Sequence, residues 1–437
     1  MREISLRTRA LGGLALAATS ALVLAGCASG STDSGSTDTA YKAADCAADS
    51  TSDNTFKVGT LLPITGSLAF LGPPEIAGVG LAVADINAAG GVNGKDACLY
   101  STDSGDSSDM SVSTASAEDL IKQKVSVVLG AASSSVSLNV VDSFTEAGIV
   151  EISPANTSAA LSGYSPFYFR TAPPDTVQGS ALGQLITGDG NSKVAFLVFN
   201  DSYGTGLRDS TEASIIDAGG TVVYGGTGKG QEFPPAQTTF SSEVTAALAT
   251  QPDALVVIAF DETKAIIPEL VAQGWDMSKT YFTDGNTGSF EKDFEAGTLE
   301  GAQGTIPGAA PSDEVKALLG KYWKDVQGEE LTDFSYAAES YDATMLAALA
   351  AVKGGDTTPK TIQANLAAVS GANGGTKCAT YADCVALLKD GKDIQYQGPS
   401  SVGPFNAKND PSSAFIGIYK YNNKNVPVWA SAVEGKS

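Results

Sequence analysis

Short apolar runs rich in β-branched side chains alternate with stretches of helical spacing along most of this chain. Lys57–Leu62 (KVGTLL), Val125–Leu129, Gly148–Ile152, Lys193–Phe199, Ala254–Ala259 and Lys279–Thr283 read as buried strands. Between them, Ile76, Val79, Val83 and Ile86, and later Ile266, Ile267, Leu270 and Val271, recur at the spacing of one helix face. Strand, helix and strand in repetition predict an α/β protein whose parallel sheets are covered on both faces. Two successive sets of this alternation predict two doubly wound lobes.

A different pattern precedes the first strand. Arg2, Arg7 and Arg9 lead into an apolar run from Ala10 to Ala25, the order of a bacterial secretion signal over residues 1–26. The run is too short and too rich in Ala and Gly to span a bilayer comfortably. Leu24-Ala25-Gly26-Cys27 resembles a lipobox, which implies that the Cys27 thiol carries a diacylglycerol and becomes the new N-terminus. Residues 27–54 are rich in Ser, Thr, Gly, Ala and Asp with few large apolar side chains, and they read as a flexible tether. The expected location is therefore extracytoplasmic, with the body anchored to the cell membrane by lipid.

About 380 residues follow the tether, enough for two domains of ordinary size. The chain carries 27 Lys and Arg against 49 Asp and Glu. Removing Arg2, Arg7, Arg9 and Glu3 with the leader leaves 24 against 48, a net charge of −24. Such a body repels nucleic acid, which is not an expected partner. Histidine is absent, which removes an imidazole base, the Ser-His-Asp and Cys-His nucleophiles and His-ligated zinc. Cys46, Cys98, Cys378 and Cys384 form an even set in an oxidising compartment and allow three pairings. Proximity favours Cys378–Cys384, leaving Cys46–Cys98 to pin the end of the tether to the body.

In an open α/β sheet, ligands gather at the loops that leave the carboxyl ends of the strands. One such loop is Gly130-Ala131-Ala132-Ser133-Ser134-Ser135, placed between a strand and a helical stretch. Free N–H groups at the helix start, with small hydroxyls beside them, suit a carboxylate or serve as a plain helix cap. A second loop, Ser153-Pro154-Ala155-Asn156-Thr157, follows the next strand and carries the same two readings.

Leu62-Pro63-Ile64-Thr65-Gly66, then Ala77-Gly78, then Asp85 to Gly94 (DINAAGGVNG), resemble the opening of the branched-chain amino-acid type of solute-binding protein, the extracytoplasmic receptor of an ABC importer. The likeness continues in order through Phe169-Arg170-Thr171, Asp201-Ser202-Tyr203-Gly204, Thr283-Asp284-Gly285, Ser340-Tyr341-Asp342-Ala343 and Val402 to Asn406. It implies a type I periplasmic-binding-protein fold: two α/β lobes joined by three crossing segments near 171–175, 305–309 and 403–407. Lobe 1 would then comprise 55–172 and 308–402, and lobe 2 would comprise 173–307 and 403–437.

The resemblance also implies a ligand clamp. Ser134, the backbone at Ala155 and Thr157 fall where the family holds a ligand carboxylate, and Asp284 falls where an acid meets its ammonium. Tyr203 matches the aromatic side chain brought down by the second lobe, and Phe70 and Phe260 fall where pocket walls stand. A zwitterion needs donors at one end and an anion at the other. The implied ligand is a small polar solute, first a branched-chain or other aliphatic amino acid, with an amide, urea or small organic acid as the alternative. The implied partners are that ligand, the ABC permease subunits and, through the lipid on Cys27, the membrane.

Other chemistry finds no support. Asp284 to Glu295 has the length of a calcium loop but places Gly288-Ser289 where a ligand and the turn glycine belong. The glycine run 225–230 lacks the Ser or Thr after Lys229 that a phosphate loop needs. No Gly-x-Ser-x-Gly elbow occurs. A binder, not an enzyme, is expected, without cofactor or metal; a sensor of the same fold is the alternative to a transport receptor, since fold alone does not decide function.

Overall fold

The computed structural model describes residues 43–46 and 54–436. The expected signal, the Cys27 lipid site and most of the tether lie outside the described residues.

The first sheet contains β1 (Lys57–Leu62), β2 (Cys98–Asp103), β3 (Val127–Gly130), β4 (Val150–Ser153) and β5 (Tyr168–Arg170). Its order is β2-β1-β3-β4-β5, and every pairing is parallel. The second sheet is built from β6 (Lys193–Val198), β7 (Thr221–Tyr224), β8 (Ala254–Ile258), β9 (Thr280–Phe282) and β10 (Gln303–Pro307). After a helical excursion bearing a small pair, β11 (Thr376–Cys378) with β12 (Ile394–Tyr396), the chain returns with β13 (Ser413–Tyr421) and β14 (Pro427–Lys436). The second sheet has the order β14-β13-β10-β9-β8-β6-β7. Its last two strands run antiparallel, so this sheet is mixed and not purely parallel.

Burial on both faces explains the near-continuous apolar sequence of the central strands. β8 (ALVVI) and nearly all of β6 are buried, whereas β2 at the edge is half-exposed and reads CLYSTD. The first core centres on the long helices Gly72–Ala88 and Ala337–Gly354, which pack closely because both are rich in Ala and Gly. A Cβ at Gly78 would collide with the carbonyl oxygen of Ala337, so the contact requires glycine there. The segment Ala69–Ala88 is long and apolar enough to cross a membrane, but it is 72% buried inside the protein and serves as this core.

Residues 43–46 lie along the outer edge of β2. Leu99 N–H donates to Ala44 O, Cys46 N–H donates to Leu99 O, and Cys46 is disulfide-bonded to Cys98. Cys378 is bonded to Cys384.

The chain passes between the two sheets after β5, after β10 and before β13. At the first crossing the buried Arg170 donates through Nε to Asp410 Oδ1 at 2.6 Å, and its other nitrogens reach Asn156 O, Ser158 O and Ser162 Oγ. Phe405 packs in the first core, with its ring 5.2 Å from Phe169, so the chain leaves that core only after Phe405.

Candidate functional site

Parallel pairing brings the carboxyl ends of β1, β3 and β4 together, with Leu61 beside Gly130 and Leu129 beside Ile152. The loops that follow these strands therefore share one end of the first sheet, facing the second lobe. Gly130 has a positive φ of +130°, and a Cβ there would meet the carbonyl of Leu61; the loop can turn toward the cleft only because this residue is glycine.

That loop leads into the helix Ser134–Ala147. Its N-cap, Ser133, makes no side-chain capping bond. Ser133 Oγ is buried and has no hydrogen-bond partner among the described residues, a costly state for a hydroxyl unless something docks on it. Ser134 Oγ accepts from Ser158 N–H at 3.2 Å. In the next loop, Ala155 N–H turns back to Ser153 Oγ at 3.3 Å, and Thr157 O accepts from Asp175 N–H at 2.6 Å.

The second lobe contributes the ends of β6, β8 and β9. Asp201 caps the helix Ser202–Asp217 by accepting from Tyr203 N–H, which sets Tyr203 at the helix start. The Tyr203 ring stacks on Phe260 with centroids 5.6 Å apart and 12° between planes, and Phe199 packs edge-on against both. Tyr203 Oη lies 2.8 Å from Asp284 Oδ1 and accepts from Gly285 N–H at 3.1 Å. Gln178 Nε2 also donates to Asp284 Oδ1, at 2.8 Å. Tyr336, reaching across from the first lobe, donates to Asp284 Oδ2 at 2.7 Å.

These groups line a narrow cavity between the lobes, partly open to solvent, with ≈ 260 Å3 of empty space that includes some of that solvent. Its walls include Ser133, Ser134, Ala155, Thr157, Tyr203, Phe260, Asp284 and Tyr336, closed on one side by Leu68 and Leu71. No basic side chain is among the described residues that line it. Burial pushes the Asp284 carboxyl up, while the bonds from Tyr336, Tyr203 and Gln178 pull it back down. Burial, followed by the charge of Asp284, holds both tyrosines well above their ordinary range, so they remain donors. Direct contacts already join the lobes beside the cavity: Ser135 Oγ is 3.1 Å from Ser202 Oγ, and Ser158 Oγ donates to Ser202 O.

Six of the seven residues expected in the clamp thus line one cavity. Phe70 does not. It lies in the single 3-10 turn Ala69–Leu71, where positions three apart share a face. Leu68 and Leu71 turn inward on that face, and the half-buried Phe70 ring packs toward Gly288 instead. Tyr336 and Gln178 were not expected, since no local pattern links a helix N-cap tyrosine or a first-turn glutamine to an aspartate far along the chain. The Ser340-Tyr341-Asp342-Ala343 string four residues beyond Tyr336 was the nearest signal.

Residues 55–383 match a family described as periplasmic binding protein. The chain belongs to the periplasmic binding protein family. Among its relatives, the Leu/Ile/Val-binding protein homolog 2 of Brucella abortus is 33% identical over 164 residues, which is 37% of this chain and 44% of that relative. The leucine-, isoleucine-, valine-, threonine- and alanine-binding protein of Pseudomonas aeruginosa is 31% identical over 171 residues, 38% of this chain and 44% of that relative. The chain therefore matches less than half the length of these curated relatives.

Solved structures extend the likeness over nearly the whole body. The branched-chain amino acid transporter substrate binding protein LivJ of Streptococcus pneumoniae, in complex with isoleucine, superposes with a TM-score of 0.69 at 24% identity, over 88% of this chain and 100% of that one. A solute binding protein of an ABC transporter from Rhodopseudomonas palustris, in complex with p-hydroxybenzoic acid, gives 0.69 at 17% identity, over 88% and 98%. The periplasmic binding protein fold is type I, as the sequence motifs implied, and the family consists of solute binders, not enzymes.

Proposed function

We propose that this periplasmic binding protein is the extracytoplasmic receptor of an ABC importer and captures a small aliphatic amino acid between its lobes for delivery to a membrane permease. The observation that carries this reading is the division of chemistry across the ≈ 260 Å3 cavity: hydroxyls and a helix N-terminus on the first lobe, the Asp284 carboxylate on the second. Helix N-termini and hydroxyls attract a carboxylate, and a buried carboxylate attracts an ammonium. Tyr203 and Phe260 offer apolar area and exclude water.

In this reading Ser133, Ser134 and Thr157 receive the ligand carboxylate, Asp284 receives its ammonium, and Tyr203 and Phe260 wall the side chain. A ligand held by both lobes binds the closed arrangement better than the open one and shifts the population toward it. Lipid on Cys27 would keep the receptor close to its permease.

A second reading, capture of an aromatic acid, draws on the hydroxybenzoate complexes among the structural neighbours. Asp284 weighs against it, because an aromatic acid seated with its carboxylate on the first lobe brings no cation to offset this buried carboxylate.

Calorimetric titration of the purified protein with leucine, isoleucine, valine and p-hydroxybenzoate tests both readings. Saturable binding of an aliphatic amino acid that is lost in Asp284→Asn supports the first. Binding of p-hydroxybenzoate alone, retained or strengthened in Asp284→Asn, replaces it with the second.

A further inference from the structure

Across the Tyr336 ring from the first cavity lies a second and larger one, with an empty volume of ≈ 1090 Å3, partly open to solvent. It is bounded by the crossing that follows β10, by the loop 332–336 and by the hairpin β13–β14. Tyr336 walls both cavities and holds a positive φ of +58°, a backbone state that a bulky side chain seldom adopts. The Tyr336 hydroxyl turns to Asp284, so the chemistry of the second cavity comes from other residues.

Two acids stand in its wall. Glu339 is 3% exposed, and its Oε1 has no hydrogen-bond partner among the described residues. That oxygen faces Gly308, another wall residue, where an added Cβ would collide with it. Asp333 is half-buried and accepts from Ser335 N–H through Oδ1. Both acids are close enough to Tyr419 to raise its hydroxyl pKa, after burial as the main cause. Tyr419 and Trp429 meet edge to face at 5.5 Å, and Trp429 is 38% exposed at the mouth. Lys316 is the only basic side chain among the described residues of the lining.

A partnerless carboxylate oxygen in a wall shared with aromatic rings matches one kind of guest. We propose that this cavity is a second binding site, for a small organic ammonium ion: Glu339 and Asp333 take the charged head, while Phe334, Tyr419 and Trp429 face the apolar body. Burial raises the empty site's Glu339 carboxyl, and an ammonium beside it both supplies the missing donor and, as an opposite charge, favours the ionised form, while aromatic faces attract the same positive charge. The site is independent of the amino-acid reading of the first cavity, since it uses none of that cavity's polar groups.

The test titrates the purified protein with 2-phenylethylamine, read by calorimetry and by tryptophan fluorescence, with 2-phenylethanol and phenylacetate as neutral and anionic counterparts. The amine is expected to saturate one site, to weaken by about ten-fold or more in Glu339→Gln, and to bind unchanged in Asp284→Asn. In Trp429→Phe the amine still binds but its fluorescence change is lost. Should Glu339→Gln fail to fold, Tyr419→Leu and Trp429→Ala each weaken the amine, and unchanged binding in both overturns the proposal. Absence of saturable amine binding, equal binding of the alcohol, or loss of binding in Asp284→Asn likewise overturns it, the last by seating the amine in the first cavity. Failure here leaves leucine binding to the first cavity standing, and failure of leucine to bind leaves this site standing.

Discussion

Tyr203 Oη stands 2.8 Å from Asp284 Oδ1, so the ring that walls the interlobe cavity also holds its acid in place. Tyr203→Phe keeps the ring and its stacking on Phe260 but removes this bond and the acceptor for Gly285 N–H. Hydrogen bonds to charged groups contribute roughly 1.5–3 kcal/mol. The variant is expected to fold normally and to bind amino acid about ten-fold more weakly, and Asp284→Asn to lose more; isothermal titration of the two side by side checks the order.

Tyr336 makes the corresponding bond from the opposite lobe, at 2.7 Å to Asp284 Oδ2. Tyr336→Phe leaves the carboxylate with Gln178 and Tyr203 and cuts a direct link between the lobes. The unliganded protein is expected to open, read as a larger radius of gyration by small-angle scattering, and saturating amino acid to restore the compact value. An unchanged radius in the unliganded variant would show that the link does not hold the lobes shut.

The Arg170–Asp410 pair is buried, and it ties β5 to the segment that precedes β13. Removing one member leaves an uncompensated buried charge, at a cost of about 3–5 kcal/mol. Asp410→Ala is therefore expected to lower the urea midpoint markedly. Replacing both residues by apolar ones, Arg170→Met with Asp410→Leu, is expected to recover a large part of that loss, because no lone charge then remains buried.

Glu151 lies fully buried in β4, accepting from Ser137 Oγ at 2.6 Å, and burial raises its carboxyl to about 8 against the lowering effect of the Ser137 and Ala131 bonds. Glu339 is likewise raised to about 8 and Asp342 to about 6, both by burial first. The folded state therefore holds protons that the unfolded chain releases near pH 4.5 for the two Glu residues and near 3.8 for Asp342. Stability from these groups is full below those pH values and is lost as pH climbs toward 8, by at most about 1.4 kcal/mol per pH unit for each group. Glu151→Gln keeps the acceptor for Ser137 and removes one titration. Urea midpoints measured from pH 5 to 9 are expected to fall less steeply in the variant.

The two disulfides close loops of very different length, 52 residues apart for Cys46–Cys98 and 6 for Cys378–Cys384. Loop-closure entropy assigns the first about 4 kcal/mol and the second about 2 kcal/mol. Paired Cys→Ser variants compared by thermal melting are expected to follow that order, with a reversed order counting against an entropic origin.

Much of the fold was legible because burial on two faces writes itself as unbroken apolar sequence. Lys57–Leu62 and the start of Lys193–Val198 fall where the pattern put them. β2 escaped notice because it lies at a sheet edge, with half its face wet and a polar sequence, CLYSTD. The β13–β14 hairpin escaped because β14 is almost entirely exposed, so its apolar residues Val428, Trp429 and Val433 mark no buried face. The cavity was legible only through the ordered motifs around Ser134, Thr157, Tyr203 and Asp284. Tyr336 meets Asp284 across 52 residues of chain, a separation that local periodicity does not encode. Phe70 stands apart from the cavity because Leu68 and Leu71, three positions apart, share the inward face of the 3-10 turn.

In the second sheet, β10 has β9 on one side and β13 on the other, and β13 is covered in turn by β14. A polypeptide emerging amino end first can zip β6 to β10 together, yet it leaves β10 with a raw edge for more than a hundred further residues. Such an edge invites pairing with the wrong strand. The β13–β14 hairpin is thus the seam that seals β10, and removing those two strands should leave a surface that recruits its own kind.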